Sequence, residues 1–502
     1  MRISLTPCAR AALVPLASAW LLAACVAAPH YQPPPLPAVK SLADGASTVT
    51  AAAEGPHGQA QQLVDGTAEA RWWRMLRSPA LDALVDEALR ASPTLAAADA
   101  VLTQAREVYA AQAGSTQLPQ VDLGLGAQRQ QTSPSSQGLP GDTREFSLYS
   151  ASVGVRYRFD LGGGIDSSLR ILAARADIRQ HELGAARQAL AASIATAAIT
   201  RARLAGQIEA QASILDKQLE LVRLAEVRKR LGQAAPDEAS ALKAQAELTR
   251  ASLPLLRKQL QQTEHLLAVL AGRTPAQGVP GFTLADFSLP ERLPLSVPSE
   301  WARQRPDIQA AEAGLRAAHG ELGAAYARQY PQLNLSANLG SQALTTSALF
   351  GGTAAVWSVV GQLSQPLFNA GLPSERRAAQ AALEAAAANY QRVVLEALRN
   401  VADALRAVEH DAESLAALSL SVQAAEQQHQ VLQSQYRAGA ASPVQLLVAD
   451  QLLLQARSSL IAAQAQRLAD TVALSAALAG DPLRQVREDR QAAVSHQTPK
   501  EK

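Results

Sequence analysis

The residues that could carry out chemistry are few and scattered along the chain. The eight histidines are dispersed, and no spacing of His, Cys, Asp or Glu matches a metal site. Glu409-His410-Asp411 is a dense titratable cluster, but it lies in a charged helical stretch that is typical of a solvated face. Gly162-Gly163-Gly164 lacks the lysine of a phosphate-binding loop. These patterns predict a protein that is not an enzyme and that has no catalytic, metal or cofactor-binding residues.

One thiol is placed for covalent modification. After a basic start, residues 11–24 form an apolar stretch that is too short to span a bilayer as a helix. It ends in Leu22-Ala23-Ala24-Cys25, which resembles the lipobox of bacterial lipoproteins. The resemblance implies that Cys25 becomes the N-terminus and carries covalent diacylglycerol and an N-acyl lipid. Ala27, where Asp would signal inner-membrane retention, favours the outer membrane; an ordinary signal peptide with an incidental cysteine is the alternative.

The rest of the composition limits the class of protein. The chain has 48% hydrophobic but only 4% aromatic residues, which favours long, closely packed helices over a thick globular core. No run of 18 consecutive apolar residues follows Cys25, so the sequence predicts no transmembrane helix. The formal net charge of +2 gives no argument for nucleic-acid binding.

Period-two alternation predicts strands that cross a membrane. Between Tyr149 and Phe159 the odd positions are apolar or aromatic and the even positions are polar or small, and 333–340 alternates likewise. With two further alternating segments, the sequence predicts four strands, near 119–128, 148–160, 331–341 and 355–368. Four strands cannot close a barrel, and an open sheet edge cannot face lipid, so several chains must share one barrel. A soluble β-domain with one buried face is the alternative. The polar set predicted to face the lumen is Ser150, Arg156, Arg158, Asn334, Asn338 and Gln362, and the outward aromatic set is Tyr149, Tyr157, Phe159 and Trp357.

Two long stretches predict helices of unusual length. Residues 165–230 contain no proline, and 374–438 contain neither proline nor glycine, so each would extend about 100 Å as a helix. The segments Gly232–Pro236 and Gly439–Pro443 break them and predict returning helices. A coiled-coil seam is carried by Val394, Leu398, Val401, Leu405 and Val408.

The landmarks recur in two halves, which predicts an internal duplication. Pro119-Gln120-Val121-Asp122-Leu123 corresponds to Pro331-Gln332-Leu333-Asn334-Leu335. The predicted organisation is a lipoprotein signal peptide (1–24), a lipidated extended tether (25–70), a first repeat (71–272) with strands near 119–128 and 148–160, a connector (273–298), a second repeat (299–482) with strands near 331–341 and 355–368, and a disordered tail (483–502).

These segments resemble the TolC/OprM-like outer-membrane factors, and specifically the NodT-type lipoproteins of RND efflux systems. The most specific run extends from Pro298 to Glu312, and nearly all of 22–482 fits. The resemblance implies an internally duplicated α+β membrane protein: a homotrimer with a twelve-stranded β-barrel, four strands per chain, continuous with a long periplasmic α-helical coiled-coil barrel. Shorter matching runs are Trp72-Trp73, Tyr330-Pro331-Gln332-Leu333, Phe368-Asn369-Ala370-Gly371 and Tyr436-Arg437-Ala438-Gly439.

The resemblance also implies partners and a gate. The helical turns would meet a periplasmic adaptor (membrane fusion protein) joined to an inner-membrane RND-type pump; the candidate contact residues are Arg230, Gly232, Pro236, Arg437, Gly439 and Pro443. Family members often carry an Asp that narrows the closed periplasmic aperture, but Val448 stands there in this chain. Asp450 follows two residues later and points about 200° away on a helix, so it is not a simple replacement. The aperture candidates are Val444, Val448 and Asp450, with a hydrophobic constriction at the two valines.

The function that these patterns favour is a passive outer-membrane exit duct of a tripartite efflux pump, lipid-anchored and extending into the periplasm. The alternatives are a type I secretion exit duct and a structural coiled-coil lipoprotein without a pore. The exported substrate cannot be read from a lumen lined by Ser, Gln and Arg.

Overall fold

The structure is a computed structural model that describes Tyr31, 47–66, 68–133, Pro140, 142–233, 235–295, 304–352 and 354–479. The predicted signal peptide, the lipidation candidate Cys25, most of the tether, the first part of the 298–312 run and the predicted tail lie outside the described residues. The chain divides into two compact units. The sheet unit contains 101–179 and 311–390, and the helical unit contains 35–100, 180–310 and 391–502.

The helices and strands follow a similar order in the two halves of the chain, although the helix Pro79–Ala91 has no counterpart among the described residues of the second half. The first half contains β1 (Gln62–Asp65), α1 (Pro79–Ala91), α2 (Pro93–Gln117), β2 (Gln120–Thr132), β3 (Arg144–Phe159), α3 (Gly164–Arg230) and α4 (Pro236–Leu270). The second half contains β4 (Arg292–Leu295), α5 (Pro306–Ala327), β5 (Gln332–Ala343), β6 (Ala355–Ser364), α6 (Leu372–Arg437) and α7 (Pro443–Leu478).

The sheet unit is built around one antiparallel sheet of order β2-β3-β5-β6. Its register pairs Ser152 with Gly340 and Val153 with Leu339, so polar or small residues lie on one face and apolar residues on the other. Gly340 is required, because an added Cβ would lie 2.4 Å from the carbonyl oxygen of Ala151. β6 ends at Ser364, short of the predicted 368, since Pro366 has no N–H to donate to a ladder.

Within the helical unit, α3 and α4 form one hairpin and α6 and α7 form a second. Leu215, Ala246 and Leu253 pack together in the first hairpin, and Val422 packs with Leu453 in the second. Each hairpin turns at a glycine with positive φ, Gly232 at 71° and Gly439 at 76°, a conformation that other residues rarely adopt.

The predicted coiled-coil seam is largely buried. Val394, Val401, Leu405 and Val408 of α6 are buried within the single chain. In α3, Arg201 interrupts the apolar pattern, and the structure gives the reason: its guanidinium pairs with Glu264 of α4 at 3.0 Å and donates to the Phe282 carbonyl at 2.7 Å. A charged residue therefore replaces an apolar one where it fastens two segments.

By length and composition alone, one described helix could cross a membrane. The most apolar 18-residue window of α7 has a mean hydropathy of 1.2. The sequence prediction counted consecutive apolar residues, and it found no run of 18. The average hydropathy of this window is a weaker criterion, and α7 meets it. Arg467 and Asp470 lie in the same helix, and Arg467 is bonded into the helical unit, as described below.

Candidate functional site: the sheet faces, the hairpin tips and the waist

The polar face of the sheet carries charged and amide side chains. Arg156 of β3 pairs with Asp122 of β2 at 2.5 Å, and both side chains are exposed in the single chain. Arg158 donates to Asn334 of β5 at 3.3 Å. Asn338 and Ser358 are register partners on the same face. Because water satisfies such groups and hydrocarbon does not, this face must line an aqueous lumen.

The opposite face is apolar and exposed. It presents Val121, Leu123 and Leu125 from β2 together with Leu339 and Trp357. β2 and β6, the two outer strands, each lack a second partner within the described chain. An exposed apolar face with two open edges is stable in a membrane only if further chains close the sheet.

The two hairpin tips hold the six residues predicted to contact an adaptor. At the first tip, Arg230 ends α3, Gly232 turns the chain and Pro236 begins α4. Gln233 donates its backbone N–H to the Arg228 carbonyl at 2.8 Å, which closes the helix end.

The second tip repeats this design. Arg437 ends α6, Gly439 turns the chain and Pro443 begins α7. The Ser442 hydroxyl accepts from the Gln445 N–H at 3.3 Å, and the Gln445 side chain accepts from the Ser442 N–H, so α7 starts in a capping box. Both tips are therefore short and locally hydrogen-bonded.

Three side chains, here called the clip, connect the two hairpins near their tips. The Tyr436 hydroxyl of α6 donates to Glu238 of α4 at 2.6 Å. Arg228 of α3 lies 3.7 Å from Glu238 and places its guanidinium 5.5 Å from the centre of the Tyr436 ring. Burial, followed by the nearby Glu238 carboxylate, raises the pKa of Tyr436 to about 12, so the hydroxyl keeps its proton and remains a donor. No motif in the sequence predicts the clip, because residues about 200 positions apart form it.

The aperture candidates occupy two different environments. Val444 is 64% exposed and Val448 is 56% exposed, one helical turn apart on α7. Asp450, the third aperture candidate, is only 2% exposed and contacts His429 of α6 at 2.7 Å. A rotation of about 200° from Val448 carries Asp450 into the interface between α6 and α7.

Another buried polar cluster lies where the segment Ser47–Gln61, here called the strap, crosses α6 and α7. We call this crossing the waist. Arg467 of α7 is fully buried and donates to the carbonyls of His57 and Gln59 at 2.8 and 2.9 Å. It also donates to the Thr50 hydroxyl at 3.1 Å. Arg467 therefore holds the strap through three separate groups.

Further bonds extend the strap over both helices. The Ser47 N–H donates to Glu409 of α6 at 3.2 Å, and Ser419 donates to the Glu54 carbonyl at 3.2 Å. Gln61 donates to the Thr471 hydroxyl of α7 at 3.3 Å. The Glu409-His410-Asp411 cluster thus has a structural use.

A carboxyl pair lies beside Arg467. Burial, followed by the hydrogen bond to Asp470 of α7, raises the pKa of Asp411 on α6 to about 7. Arg467 acts in the opposite direction on the pKa of Asp411, and His410 does so more weakly. The Asp411 carboxyl therefore keeps its proton to a higher pH than an ordinary aspartate, because its pKa is raised.

The fold and these faces define a class: an outer-membrane channel whose barrel is completed by several chains. The model of the family described as "Outer membrane efflux protein" matches residues 84–273 and 297–480. The chain belongs to this family, which confirms the predicted family, the exit-duct function and the outer-membrane location.

Relatives and solved structures agree with this assignment. The pyoverdine export outer membrane protein OpmQ of Pseudomonas putida is 32% identical over 423 residues, 82% of this chain and 88% of that protein. The probable efflux pump outer membrane protein TtgC of Pseudomonas putida is 29% identical over 498 residues, 96% of this chain and 98% of that protein.

Among solved structures, the outer-membrane channel OprN is 27% identical and superposes with a TM-score of 0.81 over 91% of this chain and 99% of that one. VceC of Vibrio cholerae is 28% identical, with a TM-score of 0.74 over 82% of this chain and 99% of that one. The predicted fold class is confirmed, since these neighbours are trimeric outer-membrane channels that combine a β domain with a helical barrel.

Proposed function

We propose that this trimer conducts small molecules passively from a periplasmic adaptor and an inner-membrane RND-type pump to the exterior, and that it catalyses no reaction. The observation that carries the proposal is the two-faced sheet, with Asp122, Arg156 and Asn334 on the wet face and Val121 and Leu339 on the lipid face. Such a sheet makes a water-filled path through a bilayer, and it offers no energy source of its own.

The other proteins of the pump, and not this channel, would select the exported molecule. The relatives' names mention pyoverdine for OpmQ and toluene for a TtgC, although both proteins align with most of this chain. Serine, amide and paired arginine side chains line the described polar face, whereas sites that select one small molecule are mostly concave and apolar.

We assign the anchor to Cys25, which would carry diacylglycerol and an N-acyl lipid. The motif Leu22-Ala23-Ala24-Cys25 supports this assignment. Mass spectrometry of the mature N-terminus tests it: a triacylated Cys25 peptide is expected, and an unmodified peptide that starts elsewhere would overturn it. Cys25→Ser in a chain with an ordinary signal peptide is the matched control.

We assign the adaptor contact to the tips, at Arg230, Gly232, Pro236, Arg437, Gly439 and Pro443. Their place at the hairpin turns supports this assignment, since such turns form an accessible end of the helical unit. Arg230→Glu together with Arg437→Glu should weaken capture of the adaptor, while Arg129→Glu on β2 of the sheet should not. Equal loss in both variants would refute the assignment.

We assign the gate to Val444 and Val448, whose exposed side chains face no partner that the described chain provides. In the trimer, three copies of Val444 and three of Val448 would form an apolar constriction. Such a constriction blocks ions because water leaves it. The clip would hold the hairpins in this closed position.

Ion conductance of the purified trimer in planar bilayers tests the duct. A low conductance that rises when the clip is removed by Tyr436→Phe is expected. If neither wild type nor variant conducts, the protein is a structural coiled-coil lipoprotein. A deletion strain exposed to antibiotics, metals and detergents tests efflux: increased sensitivity, restored by wild type, is expected, whereas loss of a secreted protein without increased sensitivity would favour the type I secretion alternative.

A further inference from the structure

The most exposed large apolar side chains in the described part of the chain are Leu367 and Phe368, at 95% and 91%. They lie in the short connection between β6 and α6, just beyond the strand end at Ser364. An exposed leucine is unremarkable alone, but two adjacent, almost bare apolar residues at a sheet edge indicate a docking surface.

The position of this pair in the sheet identifies what covers it. β6 is one outer strand and β2 is the other, and three chains close the barrel by placing β6 of one chain against β2 of the next. β2 and β5 run in one direction while β3 and β6 run in the other, so the closing pair is antiparallel. The end of β6 therefore lies beside the beginning of the neighbour's β2.

The beginning of β2 carries a complementary apolar group. Leu118, in the junction between α2 and β2, is 63% exposed. Within one chain it lies across the full sheet from Phe368, three strand spacings of about 4.8 Å each, or roughly 14 Å. The two side chains therefore cannot cover each other in one chain, although the closed ring brings them to the same seam.

We propose that Leu367 and Phe368 form an apolar knob that packs on Leu118 of the neighbouring chain, at the level where the strands give way to helices. The knob rests on the trimeric barrel and adds to it a defined contact beyond the strand ladder. It fastens each sheet to its neighbour at the end of the closing strand pair. Each chain supplies one knob and one receiving residue, which is the head-to-tail arrangement that closes a ring of three.

Cysteine cross-linking in the full chain tests the contact. Cys25 would be blocked by lipid and Cys8 removed with the signal peptide, so new cysteines would be the free thiols. Leu118→Cys together with Phe368→Cys should give covalent dimers and trimers on oxidation, and reduction should reverse them. A disulfide needs Cα atoms about 4.4–6.8 Å apart, so a link inside one chain is excluded by the roughly 14 Å span.

The matched control combines Leu118→Cys with Phe350→Cys. Phe350 is also highly exposed, but it lies in the loop at the other end of β6. This control should stay monomeric on a denaturing gel. Cross-linking in the control equal to that of the test pair, or none in the test pair from trimers that run intact on a native gel, would overturn the proposal.

A second measurement separates a neighbouring chain from lipid, the other possible cover. A fluorophore on Phe368→Cys should be insensitive to quenchers attached to lipid chains, whereas one on Leu123→Cys of the lipid face should be quenched. Strong quenching at both positions would mean that the knob faces lipid and would refute the proposal. Phe368→Ser should also lower the temperature at which trimers separate in detergent more than Phe350→Ser does, and equal shifts would count against the proposal.

Discussion

The waist and the tips of the helical unit are built on opposite principles. At the waist, Arg467 is fully buried and holds the strap through two carbonyls and a hydroxyl. At the tips, Tyr436 bonds to Glu238, Leu221 and Leu446 pack together between the hairpins, and Val444 and Val448 are exposed. Separating the strap from the waist would strand a buried charge, whereas separating the hairpins at the tips would break one hydrogen bond and expose apolar side chains, so we expect the waist to resist movement more than the tips.

The largest expected effect comes from removing the waist charge. Arg467→Met leaves the His57 and Gln59 carbonyls without their donor and should lower the free energy of unfolding by about 3 kcal/mol. Thermal unfolding followed by circular dichroism measures this loss. The control is Arg457→Met on the same helix, whose pair with Glu426 is partly exposed and worth less than about 1 kcal/mol. Similar losses in both variants would remove the contrast between waist and tips.

A smaller effect is expected from the carboxyl pair at the waist. The pKa of Asp411 is raised from 3.8 to about 7 on folding. Ionising Asp411 therefore lowers the free energy of unfolding, by nothing below about pH 4 and by an amount that grows until about pH 7. Asp411→Asn removes this titration, so the variant should gain about 1–2 kcal/mol on wild type at pH 8, after a discount for solvent screening. Unfolding at several pH values measures it.

The matched control for this titration is Glu413→Gln, an exposed residue of the same helix that pairs with His410. It should leave the pH dependence of wild type unchanged. A wild-type stability that is flat between pH 4 and pH 7 would contradict the raised pKa of Asp411.

Breaking the clip should have a modest effect on stability and a clear one on conduction. Tyr436→Phe removes the bond to Glu238 and should cost about 1 kcal/mol. It should raise single-channel conductance, since the hairpins lose a fastening. Tyr109→Phe on α2 deletes a hydroxyl from a half-exposed ring and serves as the control. An unchanged conductance in Tyr436→Phe would show that the clip does not hold the closed state.

The smallest stability effect is expected at the gate. Val448→Ala truncates an exposed side chain and should change the free energy of unfolding by less than about 0.5 kcal/mol. Its conductance should nevertheless rise, because three smaller side chains widen a dry constriction. Leu420→Ala, another exposed site on the helical unit, provides the comparison. If Val448→Ala opens the channel no more than Leu420→Ala, the hydrophobic gate is refuted.

Features formed by residues that are close in the sequence could be predicted from it. The alternation from Tyr149 to Phe159 lies within one strand, and β3 has the predicted faces. The breaks at Gly232 and Gly439 are equally local, because a positive φ and a following proline end a helix wherever they occur.

The pairings between distant segments could not be predicted. Tyr436 and Glu238 are separated by 198 positions, and Arg467 and His57 by 410. No period or motif relates such residues, since their meeting depends on how the hairpins and the strap pack. In the sequence, Arg467 cannot be distinguished from the exposed charged residues of a long helix, although it is buried in the structure.

By itself, the sequence determined the two faces of the strands, the length of the helices, the position of the tips and the need for several chains. These features follow from backbone geometry and from the solvents on each side of an element. Only the tertiary structure decided that Asp450 is buried against His429, that Arg467 anchors the strap and that Leu367 and Phe368 are left bare. The reason is that burial and pairing are properties of packed neighbours, which a single helix or strand does not specify.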